Sequence, residues 1–304
     1  MAYQSLWAWQ SIQQLLNPLI MPELKSFTTK TSWIVLLSLC LIKLAIHLYA
    51  NGNYGFHRDE LLHLATADHL AWGYMEFPPL IAFLAKLQGL LLGDSVLATR
   101  CFPALAGVAI LFLTGLMARE MKGKTLAIFI GGACILAAHS YYRNHTLFQP
   151  VAFDQLLWTL SFYFLLRYIN TQKAKYIYWF AVAAGLGFLN KYSILFLLAG
   201  LFIGIMLTSN RKWLTQKNWY MAMGLGLLII LPNLIWQALH DFPVFDHFAE
   251  LYNAQLNAST RLGFLRGQFF SMNPFSFPIW MGGLIFFLFV PYARPYRLFG
   301  FAFL

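Results

Sequence analysis

The chain has 304 residues, of which 60% are hydrophobic and only 11% are charged, and its mean hydropathy is +0.61. A soluble domain carries about 25% charged residues, so this composition excludes an ordinary water-soluble protein. The formal charge of +10 would suit a nucleic-acid partner, but the Lys and Arg residues stand singly between apolar segments and form no basic stripe. Membrane topology therefore explains the positive charge, and we expect no nucleic-acid partner.

The three cysteines also exclude a class of site. Cys40, Cys101 and Cys134 lie in or beside apolar stretches, with no short spacing between any two of them. This pattern predicts neither a disulfide framework nor a cysteine-based zinc site.

Apolar stretches of roughly 15 to 23 residues recur along the chain, and about 20 residues are needed to cross a bilayer core of about 30 Å. Residues 1–31 precede the first stretch and are expected to form a cytoplasmic lead. Residues 32–304 are expected to form one all-α transmembrane module that is truncated at its C-terminus, because the last apolar run stops after a few residues. The predicted spans are Trp33–Tyr49, Val96–Ala118, Thr125–Tyr141, Val151–Tyr168, Tyr176–Leu189, Ile194–Thr208, Met221–Trp236 and Pro278–Tyr292.

The apolar stretch Pro79–Gly93 is short, contains Lys86 and Gln88, and opens with two prolines. If it stays at the interface or re-enters, most of the Lys and Arg residues lie on one side of the membrane. If it crosses, every later loop inverts and the basic clusters face outward. Positive residues concentrate on the cytoplasmic side, so we predict that this stretch does not cross.

The acidic residues then separate from the basic ones. All Asp and Glu residues except Glu23 and Glu120 fall on the outer side, most of them in two long segments, Ala50–Ser95 and Ala238–Phe277. Long loops on a membrane scaffold are usually functional. We therefore expect the active face to be the one opposite the cytoplasm.

Asp59 and Glu60 directly follow the first span. The apolar spacing after them predicts a short amphipathic helix at the interface, which places Asp59 and His63 on one side of it. A carboxylate there could act as a general base or hold a metal ion. The alternative is an acid that only stabilises a helix start.

Other candidates lie near the same predicted boundary. Glu76 sits in a turn before the double proline, and Asp154 lies one turn inside a span, where an ionisable group is costly and points to function. The structural alternative for Asp154 is a pair with Arg143. Lys191 could bind a phosphate or extend to the lipid headgroups.

Histidines and acids after the seventh predicted span form a further group. His240 and Asp241, with Asp246 and His247 nearby, could contact an acceptor or bind a metal, although their spacing matches no diagnostic metal motif. A divalent metal ion thus remains a possible cofactor without assigned ligands.

The ordered set of these features resembles a known family over roughly Asn51 to Leu304. The set looks like the dolichyl-phosphate-mannose protein mannosyltransferase-like group of the GT-C superfamily, glycosyltransferase family 39 type, which includes bacterial aminoarabinose transferases and lipopolysaccharide-core sugar transferases. The features are Asp59-Glu60, Gly73-Tyr74 with Pro78-Pro79-Leu80, Ser95 to Ala106 with Arg100, Phe148-Gln149-Pro150 with Asp154, Lys191-Tyr192, and Trp236 to Phe242.

The resemblance implies a module of seven spans with juxtamembrane helices in the first outer loop. It also implies a sugar donor linked to a polyprenyl phosphate, with Asp59 as catalytic base and Glu60 as its neighbour or substitute. Lys191 would hold the lipid phosphate. Glu76-Phe77 departs from the acid-Lys pair that some relatives carry before proline, which leaves the partner of the leaving phosphate open.

These features predict a membrane glycosyltransferase that inverts the anomeric centre on the periplasmic face of a bacterial inner membrane. Asp59 would deprotonate an acceptor hydroxyl on a glycan, lipid or protein. Lys191, Arg58 or a divalent metal would stabilise the departing phosphate. The rival class is a transporter or flippase of an anionic lipid, with Asp154 and Lys191 as translocation residues, and a scaffold subunit is a third possibility.

Overall fold

The computed structural model describes residues 29–256 and 260–304, and within these ranges the chain forms helices and no strand. This confirms the predicted all-α class. The helices are α1 (Thr29–Asn51), α2 (Arg58–Ala65), α3 (Leu80–Leu92), α4 (Val96–Thr99), α5 (Cys101–Glu120), α6 (Thr125–Ala137), α7 (His139–Thr146), α8 (Pro150–Thr171), α9 (Ala174–Asn190), α10 (Ile194–Met206), α11 (Lys217–Leu239), α12 (Val244–Leu251), α13 (Arg261–Ser271), α14 (Phe277–Phe289) and α15 (Arg297–Phe303). The predicted lead, residues 1–31, lies outside the described residues except for its last three.

Several helices are long and apolar enough to cross a bilayer. Within the described ranges, three helical segments meet the length and hydropathy of a span, Lys30–Asn51, Val96–Glu120 and Lys217–Leu239, and up to six do so if each sharply bent pair counts as one. The chain is therefore a multi-pass membrane protein.

Three observed helices end before the predicted end of the span. The predicted Thr125–Tyr141 is wrong at its end, because the chain turns by 67° between α6 and α7 at Ala138. The predicted Ile194–Thr208 ends at Met206, before a 109° turn. The predicted Pro278–Tyr292 ends at Phe289, since Val290 precedes a proline and is therefore held in the extended region.

Helix α3 covers the stretch predicted not to cross the membrane. Its 13 residues reach about 20 Å at 1.5 Å per residue, short of a bilayer core of about 30 Å. It begins after Pro79 and ends at Gly93, whose φ of +82° lies in the region that favours glycine. Its inner face, with Ile81 and Ala82 fully buried, packs into the bundle.

A small apolar cluster joins the first loop to the bundle. Phe77 and Ile81 come from the loop and α3, and they pack with Ala106 of α5 and with Phe148 and Phe153 around the start of α8. This cluster holds the acidic segment against the ends of two long helices.

The helical bundle has two ends, which are named here by an acidic residue of each. The Asp59 end contains α2, the residues before α8 and the residues after α9. At the opposite, Glu120 end, Arg167 donates to Glu120 and to Tyr176, and Asn170 donates to Glu120 as well. Tyr296 donates to Asn170 over 2.8 Å, which ties the C-terminal part of the chain to this end.

Candidate active site

The site begins with the N-terminus of α2, where side chains cap the helix. His57 Nδ1 accepts from the Asp59 backbone N–H at 3.2 Å, and the Glu60 carboxylate accepts from the His57 N–H at 2.8 Å. This reciprocal pair is a capping box, and two acids in the first turn also suit the helix dipole. The cap fixes the direction in which Asp59 leaves the helix.

Glu60 is fully buried and every lone-pair direction of its carboxylate is engaged. It accepts from Arg100 Nε at 3.0 Å and Nη2 at 2.7 Å, from Phe148 N–H at 2.9 Å, and from His57. Burial alone would raise the pKa of Glu60, but the hydrogen bonds from Arg100 and from the two backbone N–H groups outweigh it, so its pKa lies below the ordinary value. Glu60 is therefore an ionised anchor.

Arg100 is the counterpart of this anchor, and its side chain is only 2% exposed. Besides Glu60, it donates to the carbonyl oxygens of Asn51, Tyr54 and Gly55, at 2.9, 3.1 and 2.7 Å. Arg100 was not among the site residues predicted from the sequence. The missed signal was an arginine inside a predicted span, where a charge must find a partner.

Asp59 has a different environment from Glu60. Its side chain is 43% exposed, and its Oδ2 accepts from Gln149 Nε2 at 3.0 Å. Its Oδ1 accepts from Arg58 Nε at 3.2 Å, and the Arg58 side chain is 90% exposed. A held but accessible carboxylate of this kind can reach a bound substrate.

His63 lies beneath Asp59 on the next turn of α2, as the four-residue spacing predicts. It is buried and meets Phe77 edge to face at 4.8 Å between ring centroids. Burial lowers the pKa of His63 to about 4, while the negative charge of Asp59 opposes this shift. His63 is therefore neutral at pH 7.

Asp154 and Lys191 lie near each other at the same end of the bundle. Asp154 is buried on α8, and its Oδ2 accepts from Ser193 Oγ at 2.8 Å while its Oδ1 has no partner among the described residues. No ion pair joins Asp154 to Arg143 in the part of the chain that the structure describes. Lys191 is exposed directly after α9, and within the described ranges it forms no ion pair, although its positive charge acts on Asp154.

The backbone connects these two groups to Asp59. Gln149 holds Asp59, and the carbonyl of the next residue, Pro150, accepts from Asn190 Nδ2 at 2.9 Å. Lys191 follows Asn190 directly. The structure thus brings three of the predicted site residues to one end of the bundle without direct contact between them.

A second set of contacts holds the loop between α2 and α3 against α11. Asn233 Nδ2 donates to the Trp72 carbonyl at 2.7 Å, and Gln237 Nε2 donates to the Tyr74 carbonyl at 3.4 Å. A Cβ added to Gly73 would lie 2.3 Å from the Trp236 ring, so only glycine fits there.

The remaining predicted residues lie at the rim. Glu76 and Asp241 are exposed, and their carboxylates form no ion pair with another described residue. His240 stacks on Trp236 with ring centroids 4.1 Å apart, and its Nδ1 lies 2.7 Å from the Trp236 carbonyl oxygen. The structure does not bring His240 or Asp241 into contact with Asp59.

No group of three His, Cys, Asp or Glu side chains within residues 29–256 and 260–304 is arranged to hold a metal ion. We therefore assign no residue to a metal. An apolar cavity of about 570 Å³ lies between α5, α8, α14 and α15, and Trp158, one turn from Asp154, is part of its wall.

Comparison with known proteins relates the sequence to one family. Residues 76–236, more than half of the chain, match the family dolichyl-phosphate-mannose-protein mannosyltransferase. The chain is also similar to the lipid A galacturonosyltransferase RgtD of Rhizobium johnstonii, at 23% identity over 231 residues, which is 73% of this chain and 47% of the relative. The chain thus spans about half the length of that curated relative, and no solved structure gives a significant match. The chain belongs to the dolichyl-phosphate-mannose-protein mannosyltransferase family, within the GT-C glycosyltransferases.

Proposed function

We propose that this chain is the membrane module of a glycosyltransferase that moves a sugar from a polyprenyl-phosphate donor to an acceptor hydroxyl, with inversion at the anomeric carbon. One observation carries the proposal: Asp59 is accessible while the residue beside it is sealed in the Glu60–Arg100 pair. A carboxylate that is fixed in direction but open to a ligand suits a general base.

Asp59 removes the proton from the acceptor hydroxyl as its oxygen attacks the anomeric carbon. The bond from that carbon to the phosphate oxygen breaks, and the polyprenyl phosphate leaves as an anion. Gln149 keeps the Asp59 carboxylate oriented through its 3.0 Å hydrogen bond. Glu60 supports Asp59 through the helix cap and Arg100, and it does not take the proton itself.

Lys191 stabilises the departing phosphate. It is exposed, forms no ion pair within the described ranges, and lies on the segment that also carries the Asp154 contact. A cation placed where negative charge develops lowers the barrier more than it strengthens ground-state binding. Arg58 is a weaker candidate, because its side chain already contacts Asp59.

The cavity of about 570 Å³ suits the hydrocarbon chain of the donor, because Trp158 places one wall of it a turn from Asp154. A lipid chain there would leave the phosphate near Lys191. We propose that the Asp59 end faces the periplasm of a bacterial inner membrane. We propose an acceptor on an envelope glycan, lipid or protein, and the named relative favours a lipid-anchored acceptor.

The test is mass analysis of envelope glycans in a deletion strain that carries either the wild-type gene or the Asp59→Asn variant. This substitution keeps the size of the side chain and removes its basicity, so transfer should fall by about 10² to 10⁴. Product loss with normal membrane levels of the variant supports the base assignment. Full product with Asp59→Asn excludes Asp59, and unchanged glycans in the deletion strain itself exclude the transferase proposal.

A further inference from the structure

A cluster of cationic and polar side chains lies inside the bundle, apart from the candidate active site. Lys43 and His47 come from α1 and His145 from α7, and their exposed fractions are 0%, 1% and 0%. We call these three residues the Lys43 cluster. Helix α1 is one of the segments able to span the membrane, so the cluster lies within the membrane-embedded part of the chain.

The nitrogen atoms of the cluster make no hydrogen bond of good geometry with a described residue, although the amide side chains of Asn51 and Gln155 lie beside the His47 and His145 rings. This holds for Lys43 Nζ and for both ring nitrogens of His47 and of His145. The Lys43 ammonium lies 5.1 Å from the centre of the Tyr142 ring, a contact that offsets only part of its charge. Buried polar groups are almost always paired, so the Lys43 ammonium beside the ring nitrogens that face no amide indicates a ligand.

The groups are also close enough to share one ligand. The His47 and His145 rings are 6.2 Å apart between centroids. A Cβ built on Gly107 would lie 2.5 Å from His145 Nδ1 and 2.9 Å from Lys43 Cε, so the lysine end and the imidazole meet at the same point beside α5. The glycine at this position permits that approach.

The charge of the cluster selects the class of ligand. Within the described ranges no carboxylate forms an ion pair with Lys43. A lysine and two imidazoles offer several N–H donors and one formal positive charge. A cation would be repelled, whereas a small anion could accept from all three residues and supply the missing counter-charge.

We infer that Lys43, His47 and His145 bind a small inorganic anion such as chloride inside the helical bundle. Asn51, one turn beyond His47 on the same face of α1, accepts from Arg100 through its backbone carbonyl. A bound anion would therefore join α1 and α7 beside Gly107 of α5, on the helix that also contacts the anchor of the candidate active site. This inference does not rest on the proposed transferase activity.

The experiment measures radioactive chloride binding to the purified full chain in lipid nanodiscs, with gluconate as the replacement anion. Wild-type protein should bind chloride saturably, at one ion per chain. Lys43→Met removes the charge with little change in volume and should weaken binding roughly 10- to 100-fold, the usual range for a charged hydrogen bond. Lys86→Met, which removes a surface lysine paired with Asp68, is the matched control and should bind as wild type.

Two glycine variants test the same inference if Lys43→Met fails to fold. Gly107→Ala adds a methyl group at the meeting point and should reduce chloride affinity, whereas Gly224→Ala, which has open space around it, should not. Absence of saturable binding to wild-type protein overturns the inference. Displacement of chloride by a short-chain polyprenyl phosphate but not by inorganic phosphate would assign the site to a lipid headgroup and would also overturn it.

Discussion

Each end of the helical bundle holds a buried or half-buried glutamate–arginine pair, and the two pairs differ in burial. At the Asp59 end, Glu60 and Arg100 are 0% and 2% exposed, and at the opposite end Glu120 and Arg167 are 23% and 28% exposed. The sealed pair has a half-exposed acid, Asp59, as its neighbour in the chain. The other pair is joined by hydrogen bonds to Tyr176 and Asn170.

A glutamate–arginine pair therefore serves a different purpose at each end of the bundle. A sealed ion pair costs much desolvation and is worth little by itself, so its value lies in the geometry it imposes on what surrounds it. The partly exposed pair joins helices at a modest gain. The Asp59 end is therefore the functional end in our proposal, and the following predictions test that contrast.

The largest effect is expected from Arg100→Met. Removal of the guanidinium leaves the Glu60 charge buried without a partner, which costs about 3 to 5 kcal/mol of unfolding free energy. The matched change at the other end, Arg167→Met, should cost about 1 kcal/mol. Unfolding in detergent by heat or denaturant measures both.

A double variant sharpens this comparison. Arg100→Met combined with Glu60→Leu removes both charges, so much of the stability lost in the single variant should return. Equal losses for Arg100→Met and Arg167→Met would show that burial does not distinguish the two ends.

The pH dependence of stability should also come from the Asp59 end, through His63. The pKa of His63 is about 4 in the folded chain and about 6.5 when unfolded. The stability that neutral His63 provides is fully present above about pH 6.5 and is lost as the pH falls towards 4, at about 1.4 kcal/mol per pH unit.

The measurement is unfolding free energy across pH 4 to 7 for wild type and His63→Leu. The variant should lose about 1.4 kcal/mol per pH unit of the slope in this window, the share of one histidine, because leucine fills the apolar site beside Phe77 without titrating. An unchanged slope in His63→Leu would place the acid-sensitive group elsewhere.

The smallest predicted effect concerns the phosphate of the donor. Lys191→Ala should weaken binding of a polyprenyl phosphate to the purified protein by roughly 10-fold, the lower range for a charged hydrogen bond. Lys175→Ala removes an exposed lysine at the Glu120 end and should leave binding unchanged. Equal affinities for wild type and Lys191→Ala would indicate that this lysine only extends to the headgroups.

The sequence by itself determined the class of fold and the end of the bundle where the acids collect. Apolar run length is a local property, so it placed most helices close to their observed positions. The sidedness of the loops, and α3 not crossing the membrane, stay predictions. The ends of three spans were wrong because the predicted bounds continued past polar or proline residues, as at His139 after the turn at Ala138. The assignment of Asp59 as catalytic base stays a prediction.

Only the tertiary structure decided how the two neighbouring acids differ. Glu60 meets Arg100 across 40 positions of the chain, and Asp59 meets Gln149 across 90. Sequence periodicity reports which face of a helix a residue occupies, but not which distant residue packs against that face. Side-chain burial and pairing follow from that packing, which is why the sealed anchor, the accessible acid and the Lys43 cluster became distinguishable only in the folded chain.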